Sequence, residues 1–390
     1  MKAIVIILAV AMAFSAEPTF GFAGHDDVPD PAGRVPFADP FVLCENGMYY
    51  AYGTHRCMEG IGVATSRDLR EWDFWVGKSK DGFALHKDDS YGDGRFFAPE
   101  VYRIGNRYHM YYSADSHVCV AVADSPLGPF RQAVKKPMLE ERAIDSSLFI
   151  DRDGKAWMPY VRLKQGNHIM ICELTDDLLG VRPGTSRPLI EAELPWERLS
   201  KGVPIAEGPF ILRNGDVLLM TYSANDYHCP DYALGSAVAV TPAGPWTKDA
   251  EGPFLRRFGG LKGTGHHSFF RDAEGQLKIV FHAHNAEAPD GIHPRCMYVA
   301  DAEIRGTGAS SRVKVTGGLI ACRVLGVSRS TNLGFSVDRP RQFGRPTPPE
   351  NFPIAFRAML AVSFSTLEGD AFRGCVRRCW RAGISTFKKK

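Results

Sequence analysis

Three carboxylates, an imidazole and an aromatic ring open five separated stretches of this 390-residue chain. Asp39, Phe97, Asp145, Glu207 and His266 each begin a run that reaches a glycine eight or nine residues later. Those glycines are Gly47, Gly105, Gly154, Gly215 and Gly275, and an apolar, aromatic-rich run follows each. Two carboxylates facing each other across a cleft are the minimal equipment for cleaving a glycosidic bond. One protonates the leaving oxygen and the other activates water or attacks the sugar. A third acid in the same cavity forces at least one pKa upward, as a proton donor at neutral pH requires. Glu207 has the longest reach of the three, which favours it as the donor.

Taken singly, each residue has a plainer explanation. Asp39 before Pro40 reads as a turn initiator, Asp145 before Ser146 and Ser147 as a cap of local backbone, and Glu207 before Gly208 as a solvated loop acid. The shared register overrides these readings, because all three acids fall at the same place in their repeats. His266 is followed by His267, and no Cys partner or HExxH spacing accompanies them, so zinc is not indicated. Phe97 has the register to form a wall on which a sugar ring stacks.

The elements that position these residues follow from the period. The glycines recur at roughly 50 to 60 residues, too long for a helical solenoid unit and suited to a four-stranded propeller blade. Each copy is a strand, a tight turn at an Asn-Gly or Asp-Gly-like pair, and a second strand. Short apolar runs between the copies supply outer strands, three of them followed by an aromatic residue at Trp72, Phe130 and Trp246. No helical periodicity of useful length interrupts residues 34–305. The fold class expected is therefore all-β, a five-bladed β-propeller over residues 34–318. The first strand of every blade lines the axis, so the five opening residues should face one cavity.

Lys2 and the apolar stretch after it have the proportions of a secretory signal rather than of a membrane span, with cleavage near Ala13 and Ser15 or near Gly21 and Ala23. Residues 1–23 are read as that signal, the mature protein as lacking a membrane span, and the location as secreted or periplasmic. A net charge of +3 with no basic stripe argues against nucleic acid as a partner, while 11% aromatic content suits a carbohydrate substrate. Nine scattered cysteines form no metal pattern and mostly read as free buried thiols, with at least one unpaired in a monomer. The oligomeric state has no signature in the sequence. Residues 319–390 form a basic, proline-containing segment that continues no repeat. It is compatible with a packed appendage, a disordered tail or a drifted reading frame.

The ordered motifs resemble glycoside hydrolase family 43. They are Ala38-Asp39-Pro40-Phe41, Phe97-Ala98-Pro99-Glu100-Val101, Ile144-Asp145-Ser146-Ser147, Glu207-Gly208-Pro209-Phe210 and Gly263-Thr264-Gly265-His266-His267-Ser268. The resemblance implies a five-bladed propeller and inversion at the anomeric carbon. It makes Asp39 the general base, Glu207 the general acid and Asp145 the carboxylate that orients Glu207 and keeps its pKa high. Inversion needs acid and base about 6.5 to 9.5 Å apart, to admit a water. The resemblance also implies a calcium ion on the axis held through His266, and contact of Arg295 with substrate. Phe97 stands where many members carry Trp, and the C-terminal segment does not resemble the β-sandwich that some members append.

The expected function is an exported hydrolase of arabinofuranosyl or xylosyl linkages in plant-type polysaccharides or oligosaccharides. Two alternatives are a glycoside phosphorylase, with His266, His267 and Arg295 as the phosphate cluster, and a catalytically silent carbohydrate-binding propeller.

Overall fold

Alternation of apolar and polar residues and tight turns dictate antiparallel ladders here, and the computed structural model of residues 29–326 is built from them. The stretch read as a secretory signal, and the chain beyond residue 326, lie outside the described residues. Five sheets follow one another along the chain, each ordered outward from the axis in sequence order. Their first strands are Ala38–Glu45, Phe97–Ile104, Ala143–Ile144 continued as Phe149–Ile150, Ala206–Asn214 and Gly265–Arg271. Helical structure among the described residues is confined to 3-10 turns of three or four residues. The second sheet has three strands instead of four. Its fourth place is taken by an isolated bridge of Val122 to Arg131, with Phe130 buried beside it.

Hydrophobic cores fill the spaces between blades. Tyr111, Val118, Met158 and Tyr160 pack the second sheet on the third, and Trp157, Ile171, Leu218 and Met220 the third on the fourth. Between the fifth and the first lie Phe37, Val42, Tyr49, Val280 and Val299. Radial packing of this kind leaves few open sheet edges, as propellers require.

Closure of the ring uses residues beyond the expected domain limit of 318. The outermost strand of the fifth blade runs from Arg312 to Ala321, and Arg323–Val324 pairs in parallel with Glu71–Phe74 of the first blade. Val35 donates its N–H to the Cys322 carbonyl at 2.9 Å and Val324 to that of Gly33 at 2.8 Å. The segment after 318 thus sews the last blade to the first, a role no repeat pattern announces because it occurs once.

The register of the inner strands differs from the expectation by one residue in two blades. Pairing with the second strand skips at Asp39-Pro40, Ala98-Pro99, Gly208-Pro209 and His266-His267, and the third blade leaves Asp145–Leu148 outside its ladder. The first residue of each bulge has positive φ: 49° at Asp39, 44° at Ala98, 55° at Asp145, 55° at Gly208 and 42° at His266. The five equivalent residues are therefore Asp39, Ala98, Asp145, Gly208 and His266. Phe97 and Glu207 stand one place earlier, on the ladder, opposite Ser113 and Ser223. Left-handed backbone in non-glycine residues is strained and gathers at functional sites.

Candidate active site

Each bulge turns a backbone N–H out of its own ladder, and that donor needs a new acceptor. The ladder residue before the bulge lies opposite Thr54, Ser113, Val161, Ser223 or His282 in the five blades. Four of these accept from the next blade around the ring. Thr54 Oγ1 accepts from Ala98 N at 3.1 Å, Ser113 Oγ from Asp145 N at 3.0 Å and Ser223 Oγ from His266 N at 2.9 Å. His282 Nδ1 accepts from Asp39 N at 3.1 Å and closes the circle. Val161 has nothing to offer, and the N–H of Gly208 turns instead to Asp145 Oδ2 at 3.3 Å. The side chain of Asp145 thereby reaches the residue next to Glu207.

Asp39, Asp145 and Glu207 are all buried, and their carboxyls are near enough to act on one another electrostatically. Asp39 Oδ2 accepts from Thr54 Oγ1 at 2.7 Å, and Asp39 Oδ1 from Arg295 Nη1 at 3.1 Å. Burial alone would raise its pKa, but Arg295 foremost and then the His266 imidazole hold it well below the ordinary carboxylate range. Glu207 is the opposite case. Burial pushes it up to about 7, against hydrogen bonds from Tyr232 (2.8 Å to Oε1) and Asn167 (2.6 Å to Oε2), and the charges of Asp39 and Asp226 add to the rise. Asp145 is driven well above its usual value by burial first and then by the negative charges of Glu207 and Asp39. At neutral pH the pocket therefore holds one firmly ionised acid, Asp39, beside a pair that retains a proton.

Imidazoles separate and support these groups without charging the pocket. His266 Nδ1 lies 3.3 Å from Asp39 Oδ1 and 4.0 Å from Asp145 Oδ2, so this ring stands between base and third acid. Burial lowers its pKa, with Asp39 opposing. His282 is pushed to about 3 by burial foremost and then Arg295. It is neutral, and the N–H it receives from Asp39 fixes Nδ1 as the acceptor. His267 points elsewhere, onto Thr221 Oγ1 at 2.6 Å, and burial takes it to about 3.

Arg295 and Phe97 have places as well. Arg295 is enclosed, bound to Asp39 and stacked over the Tyr227 ring at 4.3 Å. Phe97 is half-buried at the ladder position that Glu207 occupies in its own blade.

Sequence reasoning missed Thr54, Asn167, Tyr232 and His282. Tyr232 stacks on His282 with ring centroids 5.6 Å apart and planes 8° from parallel, and so links the partner of the acid to that of the base. Gly265 is required beneath it, since a Cβ there would sit 2.3 Å from the tyrosine ring. The signal for Thr54 and His282 was present: the second runs end in YGT, YSA, YSA and FHA.

Calcium finds few protein ligands here. Calcium takes six to eight oxygens, yet among the described residues no three His, Cys, Asp or Glu side chains are grouped to share an ion. Nδ1 of His266 faces carboxylates, so Nε2 is the nitrogen left to a metal. This donor set fits a hydrated ion held at one imidazole and does not fit a caged one.

A five-bladed propeller with an ionised acid, a protonated acid and a third carboxyl between blades defines the class of glycoside-cleaving propellers. The sequence profile described as Glycosyl hydrolases family 43 matches residues 29–298, and the chain belongs to that family. It is 40% identical to an endo-1,4-beta-xylanase of known structure from Bacteroides thetaiotaomicron, with a TM-score of 0.69, covering 75% of this chain and 98% of that one. It is 26% identical to extracellular endo-alpha-(1->5)-L-arabinanase 2 of Bacillus subtilis, over 72% of this chain and 68% of that protein. It is also 26% identical to the extracellular exo-alpha-(1->5)-L-arabinofuranosidase ArbA of Cellvibrio japonicus, over 65% and 81%. The chain is a glycoside hydrolase.

Proposed function

We propose that the chain is an exported, anomer-inverting hydrolase of arabinofuranosyl or xylosyl linkages in plant-type polysaccharides or their oligosaccharides. The observation that carries this reading is the contrast between two buried acids: Asp39 is paired with the Arg295 guanidinium, whereas Glu207 meets only the neutral donors Tyr232 and Asn167, so the first stays ionised and burial raises the second to about 7. Glu207 protonates the departing glycosidic oxygen. Asp39, held by Thr54 and Arg295, takes a proton from the water that attacks the opposite face of the sugar. Asp145 aligns the acid through Gly208 N, and the mutual repulsion of the two carboxyls keeps a proton on the pair. Arg295 keeps the base ionised and is itself held by stacking on the Tyr227 ring, while Phe97 provides a stacking wall. His266 Nε2 would hold a calcium ion, which would supply positive charge and structural support rather than move a proton.

The relatives named above are two arabinan-directed enzymes, both extracellular, and one endo-1,4-beta-xylanase. The phosphorylase alternative is disfavoured by a specific observation. Of its three supposed phosphate ligands, His267 is neutral and bonded to Thr221, His266 is biased towards neutrality, and Arg295 is committed to Asp39.

The test is turnover of aryl arabinofuranoside, xyloside and galactoside, and of arabinan and arabinoxylan, followed by NMR of the first-formed anomer. Release of the inverted sugar without phosphate is expected. A retained anomer, or turnover that depends on phosphate, refutes the mechanism.

A further inference from the structure

One acid in the axis has no part in the chemistry above. Glu100 follows the bulge of the second blade and pairs with Tyr111. The same ladder place is Phe41 in the first blade, Phe210 in the fourth and Ser268 in the fifth, all buried. Glu100 is thus a carboxyl set into the mainly apolar layer beneath the three acids. The residue keeps some exposure, but its carboxyl group is enclosed. A buried acid persists only when its surroundings satisfy it.

Its partners lead to Asp145. Tyr102 donates its hydroxyl proton to Glu100 Oε2, which leaves the phenolic oxygen free to accept from Leu148 N at 3.4 Å. The same oxygen lies 3.3 Å from Ser147 Oγ, and Ser147 also bonds Glu100. Ser147 and Leu148 belong to the four residues, Asp145–Leu148, that the third blade leaves outside its ladder. Within the third blade this stretch keeps one backbone bond to the neighbouring strand, from Ser147 N to Pro159 O at 3.0 Å. Apart from the Gly208 N–H on the Asp145 carboxyl, its other hydrogen-bonded supports come from the second blade, Ser113 at one end and the Glu100–Tyr102 pair at the other.

We propose that Glu100, acting through Tyr102, is a positioning residue for the reaction: it holds the strand break that carries Asp145, and so fixes that carboxyl against Gly208 beside the acid. It works as a neutral group. Burial first pushes Glu100 up to about 8, with its bonds to Tyr102 and Ser147 opposing. As a neutral acid it donates one proton and accepts another. The charged or titratable groups around Asp145 are Glu207, Asp39, His266 and Glu100 itself. An ionised Glu100 would add to the repulsion, whereas a neutral one holds position without it.

This assignment rests on the hydrolase reading, and the test separates the two failures. Glu100→Gln, Glu100→Ala and Tyr102→Phe are compared in melting temperature, in kcat and KM on arabinan or xylan oligosaccharides, and in the pH–rate profile. Glu100→Gln keeps a neutral donor and acceptor, so its kcat and alkaline limb stay within about twofold of the parent. Glu100→Ala and Tyr102→Phe lower kcat by about tenfold with little change in KM, and move the alkaline limb to lower pH, because Asp145 no longer bears on Glu207. An unmoved limb in both variants overturns the proposal. So does a Glu100→Gln variant as damaged as Glu100→Ala, which would make Glu100 a needed charge. Tyr102→Phe loses one hydroxyl and remains informative where the alanine variant does not fold. Crystal structures of Tyr102→Phe and Glu100→Ala give a readout free of turnover. Displacement of the Asp145 carboxyl from Gly208 N supports the proposal, and an unmoved carboxyl refutes it even if no glycoside is ever cleaved.

Discussion

Replacing Glu207 by Gln separates proton donation from every other function of the pocket, and its consequences for stability follow from the same burial. In the folded protein Glu207 keeps its proton to about 7, whereas its ordinary value is 4.5. Between those values the unfolded chain releases a proton that the folded chain retains, so the stability this group confers falls as pH rises. A rise from 4.5 to about 7 corresponds to about 3 kcal/mol, complete above the upper value and absent below the lower. Glu207→Gln has no proton to release. Its stability relative to the parent should improve by about 3 kcal/mol between pH 4 and pH 8, on top of a pH-independent loss of about 1 kcal/mol at both values if the Asn167 amide does not turn to accept from the new amide. Tyr232 donates to Oε1 in either case. Denaturant unfolding at the two pH values measures the difference. The same variant should lose about two to four orders of magnitude on natural linkages while an aryl glycoside with an acidic phenol is nearly spared, since such a leaving group needs little protonation. Equal pH dependence of stability in both proteins, or equal slowing on both substrates, would show that Glu207 is not the buried donor.

Four further outcomes are expected. Asp39→Asn slows natural and activated substrates alike by about three orders of magnitude, because water must be activated whatever leaves; selective loss on one substrate class would count against its role as base. Asp145→Asn draws the alkaline limb of the pH–rate profile below its parent position near 7, since the two carboxyls no longer resist each other's ionisation and share a proton; an upward move would reverse the assignment. Chelation of calcium lowers the melting temperature or kcat modestly without changing the product anomer, as suits an ion held at one imidazole; unchanged melting and turnover would remove the ion from the account. A chain ending at Gly326 melts as the full chain does. One ending at Ala321 loses the backbone bonds of Cys322, Arg323, Val324 and Leu325, worth about 4 kcal/mol and a fall of about 10 °C; equal melting of the two would show that the closure is dispensable.

The blade repeat and the shared cavity were legible because strand, turn and strand recur with their glycines in register. The one-residue offset of Phe97 and Glu207 was also written there. Pro40, Pro99 and Pro209 align Asp39 with Ala98 and Gly208, and each of those residues has the positive φ that opens a bulge. Asn167 and Tyr232 were not legible, being single polar residues that reach Glu207 from the first residue of one strand and the residue before another, with no shared pattern. The ring closure at Cys322–Leu325 left no trace for the same reason, since it happens once. A perfect fivefold repeat would have produced five equal side chains around the axis and no distinction between acid and base. The distinction arises where the repeat fails. Val161 withholds the acceptor that Thr54, Ser113, Ser223 and His282 supply, so Gly208 N draws in the carboxyl of Asp145. Glu207 stands one residue ahead of the place that Asp39 occupies, and there it meets Tyr232 and Asn167 where Asp39 meets Arg295. The fold supplies five equivalent positions, and the chemistry resides in the blades that depart from them.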